Sequence, residues 1–190
     1  MKQWDDLAEI YQAVWRKLER AVKDRKEGWH LLTVATLRNS SPELRTVVLR
    51  GVSQEKNSIW FHTDLRSPKV SDIKINPVGS LLFYDPKQKW QLRLRGEFLL
   101  DPLSEETETV WRKTSDSAKR CYQGPCAPGT VSKEYSANLP VSDVTQNFGR
   151  ENFTRLFFNI HEMDWLYLRA EGHQRALWNC ENSSGTWVNP

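Results

Sequence analysis

The chain lacks most of the signatures that assign a protein at a glance. It has no C-x-x-C pair. Its three cysteines, Cys121, Cys126 and Cys180, are an odd number without a matching His/Cys pair at zinc spacing, so they read as reduced thiols. His30, His62, His161 and His173 form no H-E-x-x-H, and no metal site is expected. A G-x-x-x-x-G-K-[ST] loop, a G-x-G-x-x-G fingerprint and a G-x-S-x-G elbow are all missing. No apolar run approaches the roughly 20 residues that span a bilayer. The opening MKQWDDLAEIYQ has no apolar h-region, so a cytoplasmic protein without a membrane partner is expected. Neither sign of charge dominates. A net charge of +3 with 27% charged residues falls short of a dense basic face, and no nucleic-acid partner is expected.

What the chain has in abundance is tryptophan, nine in 190 residues. Large aromatics suit a core or a subunit interface, and they also suit a surface on which a flat ring stacks. Apolar residues at Trp4, Leu7, Ile10, Tyr11, Val14, Leu18, Ala21 and Val22 recur at three and four, which predicts an amphipathic helix over 2–24 with Gly28 as its stop. Strands are expected at 29–37, 44–52, 58–63, 78–85 and 90–100, with turn chemistry at 39–43. Helices are expected at 68–76 and 104–114, the second continuing or restarting over 115–122. The stretch 132–146 is polar and without clear periodicity. Two strands with a tight turn near His161–Glu162 are expected over 155–170, another strand over 173–180, and a turn over 181–185 before the final TWVNP. One mostly β, α+β domain over 1–190 follows: an N-terminal helix to residue 26, main strands over 29–100, a helical and loop insertion over 101–152 and C-terminal strands over 153–190. Antiparallel strands in this number commonly close into a barrel to remove their edges.

The most suggestive stretch is FHTDLRSPKVSDIKINP, residues 61–77, where a strand hands over to a helix. It gathers His62, Thr63, Arg66, Ser67 and Lys69. This is either a solvated turn or an anion site, since a helix start offers free N–H groups and hydroxyls and cations complete a cradle. Arg45 and Arg50, five apart in LRTVVLRG, would project from opposite faces of an unbroken strand. Gln91 is an amide within a strand, suited to the polar edge of a heterocycle or simply to water. No general acid or nucleophile stands out, which fits an enzyme whose cofactor carries the chemistry.

The ordered set RTVVLRG, FHTDLRSPKVSDIKINP, LLFY and QLRLRGE resembles the pyridoxamine 5′-phosphate oxidase family of FMN-binding split β-barrels, over about residues 30–100. VSKEYS, EGHQRALW and TWVNP continue the resemblance more loosely. It implies a homodimer with FMN at the subunit interface and a small phosphorylated or heterocyclic substrate that exchanges hydride at flavin N5. By this resemblance Arg45 and Lys69 hold the flavin phosphate with Thr63 and Ser67. The backbone of Val47, Val48 and Leu49 runs beside the ring, His62 takes the place of a usual aromatic, and Gln91 contacts the flavin. Arg50 lies near ring and substrate as a catalytic cation. Glu134 of the SKEYS loop and Arg175, the second catalytic candidate, come from the partner subunit. Departures accompany the likeness. Ser67-Pro68-Lys69 lacks the family's middle Arg, for which Arg66 is a substitute. Lys113, Ser117 and His173 are the candidates for holding substrate, and Glu171 stands where a substrate Arg is usual. A non-catalytic flavin carrier or sensor on the same barrel is the alternative, as is a dimeric domain that has lost its cofactor.

Overall fold

A computed structural model describes residues 3–140, 147–182 and 184–190. Lys2, where the expected first helix begins, the end of the polar stretch 132–146, and Ser183 of the expected 181–185 turn lie outside the described residues. The first helix, α1, runs Leu7–Lys23. Asp6 starts it by accepting from the Ala8 and Glu9 backbone N–H groups, and its apolar stripe of Ile10, Val14, Trp15, Leu18 and Ala21 is buried. It ends at Asp24, before Gly28. Gly28 serves a different purpose: a Cβ there would sit 2.6 Å from Asp85 Cγ, so the residue permits a close approach rather than stopping a helix.

The strands are β1 Leu31–Arg38, β2 Ser41–Val48, β3 Gly51–Ser53, β4 Ser58–Asp64, β5 Val78–Asp85, β6 Trp90–Asp101, β7 Phe153–Tyr167, β8 Gln174–Asn179 and β9 Ser184–Val188. Three helices interrupt them: α2 Pro68–Ile75, α3 Glu105–Lys113 and α4 Asp116–Gln123. All pairings are antiparallel, in the order β2-β1-β5-β6-β7-β4-β3, with β8 on β7 and β9 on β8. The mostly β, α+β class expected from the strand spacing is what forms.

Three expected elements differ. The 39–43 turn shrinks to Asn39–Ser40, both at positive φ, so that Ser41 already pairs with Arg38 and Pro42 sits on the outer strand β2, where a missing N–H is tolerated. The 44–52 strand is broken. Leu49 donates its N–H to His30 O and Arg50 to Trp60 O, so the chain changes partners between β2 and β3. The two strands expected over 155–170 are a single strand, β7. Its pairing with β6 skips His161, a bulge opposite Arg95 and Gly96. Gly96 is required there because a Cβ would lie 1.9 Å from Asn159 O.

Side chains alternate across this sheet. Leu92, Leu94, Met163, Trp165, Ala176 and Trp178 point inward to the core, with Phe61, Phe83 and Phe158. Gln91, Arg93, Leu166 and Arg175 point the other way, beside the exposed Leu44, Leu82 and Tyr84.

Candidate functional site

The strand-to-helix handover at β4 and α2 is built by ordinary local chemistry. Ser67 is the N-cap residue of α2, with Pro68 in its first turn. Its hydroxyl makes no capping bond and instead accepts from Lys69 Nζ at 2.8 Å, while Thr63 Oγ1 accepts from the same amine at 2.9 Å. Burial lowers the Lys69 pKa and the nearby Arg45 cation lowers it further. Arg45, on β2, donates from Nη1 to Thr36 Oγ1 at 2.7 Å, and burial pulls its pKa down too. Two cations therefore sit in a partly buried corner with hydroxyls alone as their direct hydrogen-bond partners among the described residues. Such a donor set fits an anion with several oxygens, a phosphate monoester above all.

The structure gives Arg66 another task. Its guanidinium grips Asp64 through Nε at 3.1 Å and Nη2 at 2.7 Å, and it reaches the carbonyls of Gly124 at 2.8 Å and Tyr122 at 3.4 Å. Four of its five N–H donors are thus committed within the chain.

Next to the corner lies an aromatic wall. His62 packs edge-on against Phe153 with ring centroids 4.9 Å apart, and Tyr122 packs on the same Phe153 at 5.1 Å and on Trp111 at 6.0 Å. Burial, then the Arg50 and Arg155 cations, lower the His62 pKa to about 4, so the ring is neutral at pH 7. Burial pushes the Tyr122 hydroxyl upward. Arg50 is exposed at the β2–β3 break, Val47 and Val48 are half-buried at the end of β2, and the Leu49 side chain is fully buried.

Gln91 and Arg175 lie elsewhere. Both pair with Leu166, Gln91 from β6 and Arg175 from β8, and so share one row on the outer face of the sheet. Thr63 pairs with Thr154 at the opposite end of β7, twelve residues away and ~40 Å along a strand. Asp164 accepts from Arg175 Nε at 3.0 Å and Nη2 at 2.8 Å, and it also takes a hydrogen bond from Arg93. Burial works against this carboxylate's ionisation, yet the two arginines hold its pKa below the usual range.

Among the described residues the remaining candidates make no hydrogen bond or ion pair with one another. Glu134 is exposed in a loop whose contacts run to Ser132. Lys113 and Ser117 are exposed on α3 and α4, with Ser117 bonded to Ser115. His173 Nδ1 accepts the Arg169 N–H at 3.0 Å, and Glu171 lies 3.7 Å from the Arg169 guanidinium. Sequence reasoning missed Thr36, Tyr122, Asp64, Asp72 and Asp164. Asp164 alone carried a signal, an acid among apolar residues in a strand.

Comparison with known proteins supplies the context. Residues 12–101 match the family model of the pyridoxamine 5′-phosphate oxidase FMN-binding domain. A pyridoxine/pyridoxamine 5′-phosphate oxidase of Acinetobacter baumannii (strain SDF) is 33% identical over 118 residues, which are 62% of this chain and 53% of that protein. The chain thus spans about half the length of that curated relative. Pyridoxine/pyridoxamine 5′-phosphate oxidase 2 of Arabidopsis thaliana is 27% identical over 139 residues, 70% of each chain. Among solved structures, a pyridoxamine 5′-phosphate oxidase-related, FMN binding protein from Nostoc punctiforme PCC 73102 superposes with a TM-score of 0.75 at 25% identity, covering 100% of both chains. With the motif order, the strand topology and these relatives in agreement, the chain is similar to the pyridoxamine 5′-phosphate oxidase-like proteins over residues 12–101 and has the split-barrel fold of its solved relative.

Proposed function

We propose that this protein is a homodimeric flavoprotein that binds FMN through the Arg45–Lys69 corner and works as an oxidoreductase. The observation that carries the reading is the pair of cations whose hydrogen-bond partners, among the described residues, are the hydroxyls of Thr36, Thr63 and Ser67 alone. A phosphate would accept from Lys69 and Arg45 directly, and the three hydroxyls would orient those donors. FMN, when bound, supplies two-electron chemistry at its ring, for which no side chain here is a substitute. Arg50 offers a cation at the rim, and His62 offers a neutral, flat neighbour with no charge of its own. Val47, Val48 and Leu49 present backbone along the approach to the ring.

The separation of the two residue sets supports the dimer. Gln91 and Arg175 cannot reach the phosphate corner of their own chain, because they face outward at the far end of β7. The outer face that carries them also exposes Leu31, Leu44, Leu82 and Tyr84, apolar area suited to a second copy. In such a pair Arg175 and Glu134 of one protomer face the corner of its partner. The substrate is a small phosphorylated or heterocyclic molecule. Pyridoxamine 5′-phosphate is the first candidate, although Glu171 adds a charge that repels a phosphate. A flavin carrier without turnover shares the same corner. It is favoured by one observation, that Lys113, Ser117 and His173 make no hydrogen bond or ion pair with one another among the described residues.

The test is an absorption spectrum of the purified protein and a titration with FMN, with Arg45→Ala/Lys69→Ala as the control. Flavin bands are expected, with affinity falling at least roughly 100-fold in the double variant. Wild-type protein that takes up no FMN would sink the reading. Binding without oxidation of any phosphorylated or heterocyclic amine or alcohol would favour the carrier.

A further inference from the structure

Further charged side chains lie around the Arg45–Lys69 corner. Two carboxylates stand close to the two cations. Asp64, the last residue of β4, lies between Thr63 and Ser67, whose hydroxyls hold the Lys69 amine, and its carbonyl accepts the Ser67 N–H at 3.0 Å; its charge favours the protonated amine. Asp72, on α2, meets Thr36 Oγ1 at 3.4 Å, the same oxygen that receives Arg45 at 2.7 Å. Both carboxylates are buried, at 7% and 6% exposure. Left alone, each would seek the nearest cation, because a buried carboxylate without a partner is costly. The corner would then hold two cations and two anions, with nothing left to attract a phosphate.

Neither carboxylate is left alone. Arg66 takes both oxygens of Asp64, and its own backbone N–H adds a third bond to Oδ1 at 2.8 Å. Arg38 takes both oxygens of Asp72, through Nε at 2.9 Å and Nη2 at 3.0 Å. The two forks match their carboxylates in the planar, paired geometry that arginine alone provides. Each Asp–Arg pair is neutral, so the corner keeps the positive charge of Arg45 and Lys69.

We propose that Arg66 and Arg38 are positioning residues that sequester Asp64 and Asp72 and thereby keep Arg45 and Lys69 free for an anionic ligand. They do not touch that ligand themselves. Arg66 is the more informative of the two. Its place beside Ser67 makes it look like a phosphate ligand, whereas its bonds make it the guard of a carboxylate. It also ties the Tyr122 and Gly124 carbonyls to the corner, so the end of α4 is held by the same guanidinium.

The proposal takes the anion to be the FMN phosphate, and so rests on the function proposed above. Its first test needs no ligand. The Lys69 amine is titrated by NMR of its ε-carbon in the free protein. Arg66→Ala is expected to raise the Lys69 pKa by about one unit, as the released Asp64 turns to it, and Arg66→Ala/Asp64→Asn to reverse the rise. An unmoved Lys69 in Arg66→Ala overturns the proposal. The second test compares FMN with riboflavin, which has the same ring and no phosphate. Arg66→Ala and Arg38→Ala are each expected to weaken FMN about tenfold and to leave riboflavin within about twofold. Adding Asp64→Asn or Asp72→Asn, respectively, restores FMN binding. Loss of FMN that the Asn partner does not restore makes the arginine a direct ligand, and equal loss of riboflavin makes it a general support of the fold; either overturns the proposal. If no variant binds FMN while Lys69 shifts as expected, the sequestration stands and the flavin reading fails.

Discussion

Asp164 on β7 and Arg175 on β8 form a two-pronged ion pair across neighbouring strands, at 3.0 and 2.8 Å, and Arg93 on β6 closes on the same carboxylate from the other side. Three adjacent strands are thus joined by one buried acid. Asp164→Asn keeps the shape and removes the charge, leaving two guanidinium groups without their counter-ion. The expected loss of stability is about 1–3 kcal/mol at neutral pH. The folded pKa of Asp164 is depressed, so its contribution is present above the unfolded value and is lost as pH falls through the folded one. Urea unfolding at several pH values checks this: wild type and variant should converge under acid, and a gap that stays constant with pH would contradict it.

His62 titrates in the opposite chemical sense but with the same slope. It is a base whose folded pKa is lowered to about 4, so between that value and its ordinary one the unfolded chain binds the extra proton. Wild-type stability should fall between about pH 6.5 and pH 4, by at most about 3 kcal/mol from this residue. His62→Phe keeps a ring against Phe153 and abolishes that part of the fall. Equal slopes for the two proteins would show that the ring protonates as freely folded as unfolded.

Lys17 is buried on the core side of α1, bonded to Glu27 and to Asp85 at 2.6 Å, with its amine 5.0 Å from the Trp29 ring centroid. Burial opposes the ionisation of both carboxylates; Lys17, together with Arg20 at Glu27 and the Lys87 and Gln88 N–H groups at Asp85, outweighs it, so both pKa values are lowered. Lys17→Met leaves the buried Asp85 and the half-buried Glu27 without the lysine, although Glu27 keeps Arg20 at 2.7 Å. A loss of about 3–5 kcal/mol is expected near pH 7, partly recovered by adding Asp85→Asn. Thermal unfolding measures it, and a loss below about 1 kcal/mol would mean that water reaches the site.

How much of this was readable from the chain depends on whether the deciding partner is near in sequence. The strand at 78–85 has the predicted limits because a proline and a turn bound it on either side. Thr63, Ser67 and Lys69 stood out because hydroxyls and a cation within seven residues can only share a small volume at the start of a helix. The break at Leu49–Arg50 was hidden, since it depends on acceptors from His30 and Trp60. The polar pair His161–Glu162 imitates a turn, yet β6 on one side and the Cys180 N–H on the other hold the chain extended through a bulge. Arg66 is hard to judge from the chain for a related reason. Its neighbours in sequence suggest a ligand role, but what occupies it is a carboxylate two residues away and two carbonyls more than fifty residues on.

The length of β7 has a mechanical consequence. One unbroken strand bears Thr154 beside the cationic corner and Leu166 beside Gln91 and Arg175. In a dimer, each copy's β7 would act as a beam carrying the phosphate-gripping end of one site and the ring-facing end of the other. The two sites could not then open or tighten separately. A bend at the His161 bulge would shift a contact in both, so a ligand seated in the first site would be felt as stiffness in the second.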